Sequence, residues 1–108
     1  MTSLFNYESD LRLLIPGQYK LDEFDALEFV GGSYLIVAKN KTNKTEFTEF
    51  FLTHDTTASF ITNVKTTSDA NNFIVTLGSD YVRNYVRFFV TLTEDVKIKF
   101  YRQLVTLE

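Results

Sequence analysis

Apolar residues recur at every second position over most of this chain, which is the side-chain spacing of β-strands. The clearest run begins at residue 96 and places Val96, Ile98 and Phe100 on one face of an extended chain, with two lysines on the other. Similar runs are rich in the β-branched and aromatic residues that fit a pleated surface. The pattern therefore predicts strands that have one buried and one solvated face.

Eight such runs predict about eight strands, separated by short clusters of turn-forming residues. The predicted strands cover residues 11–15, 18–24, 33–39, 47–54, 57–64, 73–77, 86–92 and 96–105. The predicted turns cover residues 16–17, 31–32, 40–44, 55–56, 66–72, 78–80 and 93–95. Short strands at this spacing are typical of a sandwich or a small barrel, and we expect an all-β, antiparallel β-sandwich.

One segment, residues 80–89, also approximates the 3.6-residue period of a helix, although a strand is favoured for its second half. The chain of 108 residues has room for one hydrophobic core, and 44% of its residues are hydrophobic, so it is expected to fold. We predict a single sandwich domain over residues 11–108. Residues 1–10 are predicted to form an N-terminal arm.

Charge and cysteine content exclude several classes of function. The formal net charge is −3, so no basic field favours nucleic acid. The chain has no cysteine, which removes disulfides, thiolate nucleophiles and zinc-thiolate sites. Its apolar runs are too short to span a membrane, and residues 1–10 are not a signal peptide, so we expect no membrane partner and no export.

The only histidine, His54, is followed by Asp55, a pair that occurs in hydrolytic triads. Neighbouring residues on a strand point to opposite faces, and no nucleophile elbow accompanies the pair. We therefore expect His54 and Asp55 to end a strand in a polar turn. No catalytic residue is assigned, and the chain is expected not to be an enzyme.

Four carboxylates, those of Asp22, Glu23, Asp25 and Glu28, lie close enough in sequence to suggest a calcium site. They lack the alternating spacing and central glycine of a calcium loop, so we interpret them as a solvated turn and expect no metal ligand. The glycines at positions 31, 32 and 78 are interpreted as turn residues. No helix or lysine follows them as in a phosphate loop, and no cofactor is expected.

Two triplets, at residues 40–42 and 43–45, match the N-glycosylation acceptor pattern but are interpreted as a polar hairpin loop.

Several aromatic residues suggest a stacking platform for sugar or single-stranded nucleic acid, although aromatics that alternate along strands are more often core. Carbohydrate binding stays open as an alternative. The aromatic residues that suggest this platform are Tyr81, Tyr85, Phe88, Phe89, Phe100 and Tyr101.

Five segments together resemble a β-rich module of virion structural proteins in tailed phages, notably phages that infect marine cyanobacteria. They are residues 21–26, 33–37, 49–62, 86–91 and 96–102, with order and spacing in agreement over roughly residues 21–105. The sequence departs from the family at Thr56, which stands where a glycine usually follows His-Asp. The resemblance implies an antiparallel sandwich with an architectural role.

The resemblance therefore implies a non-enzymatic phage virion protein that is assembled in the host cytoplasm. A multi-copy decoration or cement subunit on the capsid surface is favoured, held to copies of itself and to major capsid or tail proteins by edge strands and apolar faces. A neck, baseplate or tail-fibre component is one alternative. A free module that binds a glycan or a host protein is another.

Overall fold

The computed structural model describes residues 7–69 and 74–106 of the chain. These residues form strands that pair only in antiparallel fashion. The strands are β1 (Tyr7–Glu8), β2 (Arg12–Leu14), β3 (Gly17–Asp25), β4 (Gly31–Asn40), β5 (Thr45–His54), β6 (Ser59–Ser68), β7 (Val75–Val82), β8 (Tyr85–Leu92) and β9 (Val96–Val105).

The strands form two sheets that pack face to face, which confirms the predicted all-β antiparallel sandwich. In the large sheet the order is β1-β9-β4-β5-β6, and β2 also pairs with β9. In the small sheet the order is β3-β8-β7. The described strands β6, β3 and β7 therefore lie at sheet edges, whereas short β1 and β2 cover the outer side of β9.

The core lies between the two sheets and follows the alternation of the sequence. In β4 the residues Tyr34, Ile36 and Ala38 are buried, and in β8 the residues Phe88 and Val90 are fully buried. Apolar burial of this kind stabilises each side chain by roughly 1.5–3 kcal/mol relative to an exposed position. The buried apolar set is Phe24, Ala26, Tyr34, Ile36, Ala38, Phe50, Leu52, Ile74, Val75, Val86, Phe88, Val90, Leu92, Val96, Ile98 and Phe100.

The glycines were wrongly predicted to lie in turns. Gly31 and Gly32 begin β4, and Gly78 lies inside β7. A Cβ atom on Gly31 would stand 2.8 Å from the backbone oxygen of Leu52, so the close approach of β5 requires glycine there. Gly78 has no such neighbour, because nothing lies within 4 Å of the place that a Cβ atom would take there.

The β7–β8 connection is a two-residue hairpin rather than a helix. Arg83 and Asn84 have φ values of 52° and 69°, the left-handed conformation that a type I′ turn requires at both central positions. The strand predicted for the second half of residues 80–89 is confirmed by β8. The turn predicted at residues 66–72 is wrong for residues 66–68, which continue β6, and residues 70–73 lie outside the described part of the chain.

The segment predicted as an arm is described only from residue 7. β1 lies within it and pairs with β9, with Tyr7 opposite Arg102 and Glu8 opposite Tyr101. The hydroxyl oxygen of Ser9 accepts a 2.8 Å hydrogen bond from the Phe100 backbone N–H. Residues 1–6 lie outside the described range, and the arm remains a prediction for them.

The two strand glycines give a matched test of this packing. Gly31→Ala is expected to lower the free energy of unfolding by about 1–3 kcal/mol, because its methyl group collides with the β5 backbone. Gly78→Ala is expected to be neutral or to stabilise by about 0.5–1 kcal/mol, because the space is open and glycine weakens a strand interior. Urea unfolding of both variants measures the difference, and equal effects would contradict the close approach.

Candidate functional site

A β-bulge in β3 turns one carboxylate of the acidic cluster into the protein. Lys20 pairs with Phe89 and Asp22 pairs with the adjacent Phe88, so β3 contains one extra residue, Leu21, at this point. Counted from Tyr19, which packs against the core, regular alternation would place Asp22 on the outer face. The extra residue places it on the inner face instead, together with Phe24. Only 12% of its side chain is exposed.

The Asp22 carboxylate joins three strands from both sheets. Arg102 of β9 donates from Nη1 to both carboxylate oxygens at 2.6 and 2.7 Å, and Tyr34 of β4 donates its hydroxyl to Oδ2 at 2.8 Å. The centroid of the Tyr7 ring lies 4.4 Å from the Arg102 guanidinium carbon. We call Asp22, Arg102 and Tyr34 the inter-sheet triad.

Burial is the main reason that the pKa of the Tyr34 hydroxyl lies far above its ordinary value. The Asp22 carboxylate raises it further by its charge and its hydrogen bond, while Arg102 acts in the opposite direction. Tyr34 therefore keeps its proton in the folded chain. Its role in the triad is that of a hydrogen-bond donor.

The rest of the acidic cluster lies apart from the triad. Glu23 pairs with Lys20 at 3.2 Å, and Asp25 accepts the backbone N–H of Leu27 at 2.8 Å. The interpretation as a solvated turn is therefore wrong for Asp22, because the bulge buries it. Within residues 7–69 and 74–106, no group of three or more metal-ligating side chains lies together.

The triad predicts how stability depends on alkaline pH. The folded pKa of Tyr34 lies above the unfolded value of about 10, so its contribution is complete below pH 10 and is lost as the pH rises. Tyr34→Phe is expected to lower the free energy of unfolding by about 1–2 kcal/mol at pH 7 and to flatten its decline above pH 10. Urea unfolding between pH 8 and 11 measures both effects, and parallel curves would contradict this role.

His54 ends β5 and acts within a turn, as the sequence predicts. Its Nε2 donates to the Phe29 backbone oxygen at 2.8 Å, and its Nδ1 accepts the Thr56 N–H at 3.0 Å, so the ring is the neutral Nε2-protonated tautomer. Asp55 bonds instead to Thr57 and Ala58. These hydrogen bonds lower the pKa of the Asp55 carboxyl below its ordinary value, and the bond from the Thr57 side chain has the largest effect.

Thr56, in the turn between β5 and β6, has the left-handed backbone conformation that glycine adopts most readily. Its φ is 70°, which is strained for a β-branched residue. Thr56→Gly is therefore expected to raise the free energy of unfolding by about 1 kcal/mol. Thr57→Gly, in the same turn, is the control and is expected to destabilise, because it removes the 2.6 Å hydrogen bond to Asp55. Thermal unfolding compares the two, and a destabilised Thr56→Gly variant would contradict the strain.

The aromatic residues singled out in the sequence do not form one platform. Phe88 and Phe100 belong to the core, as predicted. Tyr81, Phe89 and Tyr101 are half-buried. Tyr85 is 44% exposed. These rings are divided between the core and the surfaces of both sheets, so they do not present a continuous stacking surface.

A different set of rings forms an exposed surface on the large sheet. Phe47, Phe51 and Phe60 are 45%, 44% and 45% exposed. They point away from the core, because Glu46, Thr48, Phe50 and Leu52 occupy the inward positions of β5. Val37 lies opposite Phe47 on β4, and half-buried Leu35 follows on the same face. We call the outward residues Leu35, Val37, Phe47, Phe51 and Phe60 the aromatic face.

Strand β6 borders the aromatic face and is the open edge of the large sheet. Among the described residues it pairs only with β5, and its ten residues contain a single charged side chain, Lys65. A bulge between Thr62 and Lys65 adds one residue to β6, so regular pairing along this strand is interrupted at that point. Below it, a cleft of about 350 Å³ opens between β6 and β7. Its apolar lining is Ile61, Val64, Val75 and Leu77.

The chain has no match among models of known protein families, and no curated protein is similar to it. The described residues contain no helix long and apolar enough to cross a membrane.

Proposed function

We propose that this chain is a non-enzymatic structural subunit of a phage virion, present in many copies as a decoration or cement protein on the capsid surface. The resemblance of residues 21–105 to phage virion modules supports the virion setting. In this role the domain binds other virion proteins and copies of itself through β6 and the aromatic face.

The observation that carries the proposal is the open ten-residue strand β6 beside an apolar cleft. An extended segment of a neighbour adds to such an edge by pairing with its free N–H and C=O groups. Alternate side chains of that segment would enter the cleft between β6 and β7, whose lining is mostly apolar. The backbone hydrogen bonds then provide the affinity for the added segment, and the cleft determines which of its residues lie opposite each residue of β6.

The aromatic face supports a second contact with a neighbour. Each of its three phenylalanines leaves nearly half of its side chain in water, and covering such a residue yields on the order of 1 kcal/mol. The charged residues beside it are Glu49, which lies opposite Lys65 on β6, and Lys99, which lies opposite Val37 on β9. Apolar patches with a polar surround are typical of protein interaction sites.

The chemistry of His54 supports a non-enzymatic role. Both of its ring nitrogens are engaged by backbone groups of Phe29 and Thr56, so neither is directed at a substrate. Asp55 is likewise used to hold the turn. The pair serves the β5–β6 connection.

Substitution on the aromatic face tests the proposal. Phe47→Ser with Phe51→Ser is expected to reduce the copy number in purified virus particles at least about tenfold, because each lost contact costs on the order of 1 kcal/mol at every interface. Quantitative mass spectrometry against the major capsid protein measures the copy number. Tyr85→Ser is the matched control, equally exposed but on the small sheet, and is expected to leave the copy number unchanged.

The wild-type copy number tests the location in the same experiment. A value comparable to that of the major capsid protein supports the capsid surface, whereas a much smaller value would replace it by the neck, baseplate or tail fibres. Absence of the wild-type protein from particles would overturn the virion role. A free module that binds a glycan or a host protein through the aromatic face would then take its place.

A further inference from the structure

A groove at one end of the sandwich combines an apolar floor with a positive rim. It has a volume of about 290 Å³, and the exposed side chains of Leu13 and Ile15 contribute to its apolar surface. Lys39, Lys41 and Lys97 line it with one carboxylate, that of Asp95, which pairs with Lys41 at 2.7 Å. The groove therefore carries two uncompensated positive charges in a chain of net charge −3.

The two remaining lysines are placed where the fold alone disfavours them. Lys39 on β4 lies directly opposite Lys97 on β9, and like charges in that arrangement destabilise a sheet. Both side chains are exposed, and neither pairs with a carboxylate within the described residues. An anionic partner in the groove would remove this repulsion.

The opposite end of the sandwich carries a turn of complementary chemistry. Residues 26–30 connect β3 to β4, and Leu27 among them is 73% exposed, the largest value among the large hydrophobic residues that the structure describes. Leu13 in the groove follows with 72%. Glu28, next to Leu27, is exposed and forms no ion pair within the described part of the chain.

The turn is held rigidly, so Leu27 is presented rather than disordered. Asp25 accepts the Leu27 N–H through its side chain and the Phe29 N–H through its backbone oxygen, at 2.8 and 3.0 Å. The Ala26 N–H donates to the backbone oxygen of Asn84 in the β7–β8 turn, and the Val30 N–H donates to that of Val105 in β9. A preorganised turn loses little conformational entropy when it binds.

We propose that Leu27 and Glu28 of one copy dock in the groove of the next copy, so that the chains associate head to tail. Leu27 contacts the apolar floor formed by Leu13 and Ile15, and Glu28 lies near Lys39 and Lys97. Strand β4 joins the two sites, starting at the turn and ending at the groove, which separates them by roughly 30 Å. Because the two surfaces differ, the contact is heterologous and builds a ring or a filament instead of a closed pair.

The contact buries a single turn and is weak in solution, with a dissociation constant on the order of 0.1–1 mM. It becomes effective when copies are already held side by side, because the local concentration then reaches the millimolar range. The inference therefore rests on the proposed multi-copy function. It adds the partner and the residues of a contact between copies.

Two variants, each defective at one end, test the head-to-tail arrangement. The groove variant carries Leu13→Asp with Lys97→Glu and keeps its turn, whereas the turn variant carries Leu27→Asp and keeps its groove. Either variant alone is expected to self-associate at least about tenfold more weakly than the wild type in sedimentation velocity. A third variant, Leu11→Asp, is the matched control, because Leu11 is 59% exposed but does not line the groove.

Mixing the two defective variants is the decisive step. When the unlabelled turn variant is added to the ¹⁵N-labelled groove variant, amide shifts are expected to change in residues 25–30 of the labelled chain. The saturating complex is 1:1, with an affinity close to that of wild-type self-association, and it weakens as salt is added. Thermal unfolding of each variant confirms that both are folded before they are mixed.

Two results would overturn the inference. A wild type that stays monomeric up to about 1 mM would exclude a contact of the stated strength. Wild-type association without any effect of mixing would point to a symmetric interface elsewhere. Either result leaves the proposed function standing if Phe47→Ser with Phe51→Ser still reduces the copy number in particles, so the two failures are distinguishable.

Discussion

The Asp22–Arg102 ion pair is the interaction on which the arrangement of the two sheets depends. It joins β3 of the small sheet to β9 of the large sheet, and the Tyr34 hydroxyl adds β4 to the same carboxylate. A largely buried carboxylate is tolerated only when its charge and hydrogen bonds are satisfied. The distance between the sheets is therefore limited at this point to one at which all three side chains meet.

The triad also determines how the aromatic core packs. With its hydroxyl held by Asp22, the ring of Tyr34 stacks on Phe50 with centroids 5.3 Å apart, and Phe88 contacts both rings. On the outer side of the triad, Tyr7 covers the Arg102 guanidinium and connects β1 to the same cluster. A polar interaction thus fixes the position of the Tyr34 ring, and with it the packing of the neighbouring rings, in a core whose apolar contacts are not directional.

The strand pattern was predictable from the sequence, whereas the face of each side chain was not predictable everywhere. Regular alternation in β8 and β9 defines both the strand and its buried face. In β3 the apolar residues Tyr19, Leu21 and Phe24 change from a spacing of two to a spacing of three, which is the signature of the bulge that turns Asp22 inward. The ion pair with Arg102 was beyond prediction, because it joins residues 80 positions apart.

Strand β5 shows why the aromatic face was missed and why it supports the proposed interaction. Aromatic and polar residues occur in both of its alternating sets, so the sequence does not say which set is buried. The structure buries Glu46, whose carboxylate accepts the Ile74 N–H, and leaves Phe47 and Phe51 in water. Folding alone would favour the reverse, because a buried carboxylate needs dedicated partners while an exposed ring gains nothing. The covering of β9 by β1 and β2 adds to this asymmetry, since among the described strands it leaves β6, beside β5, as the uncovered edge of the large sheet.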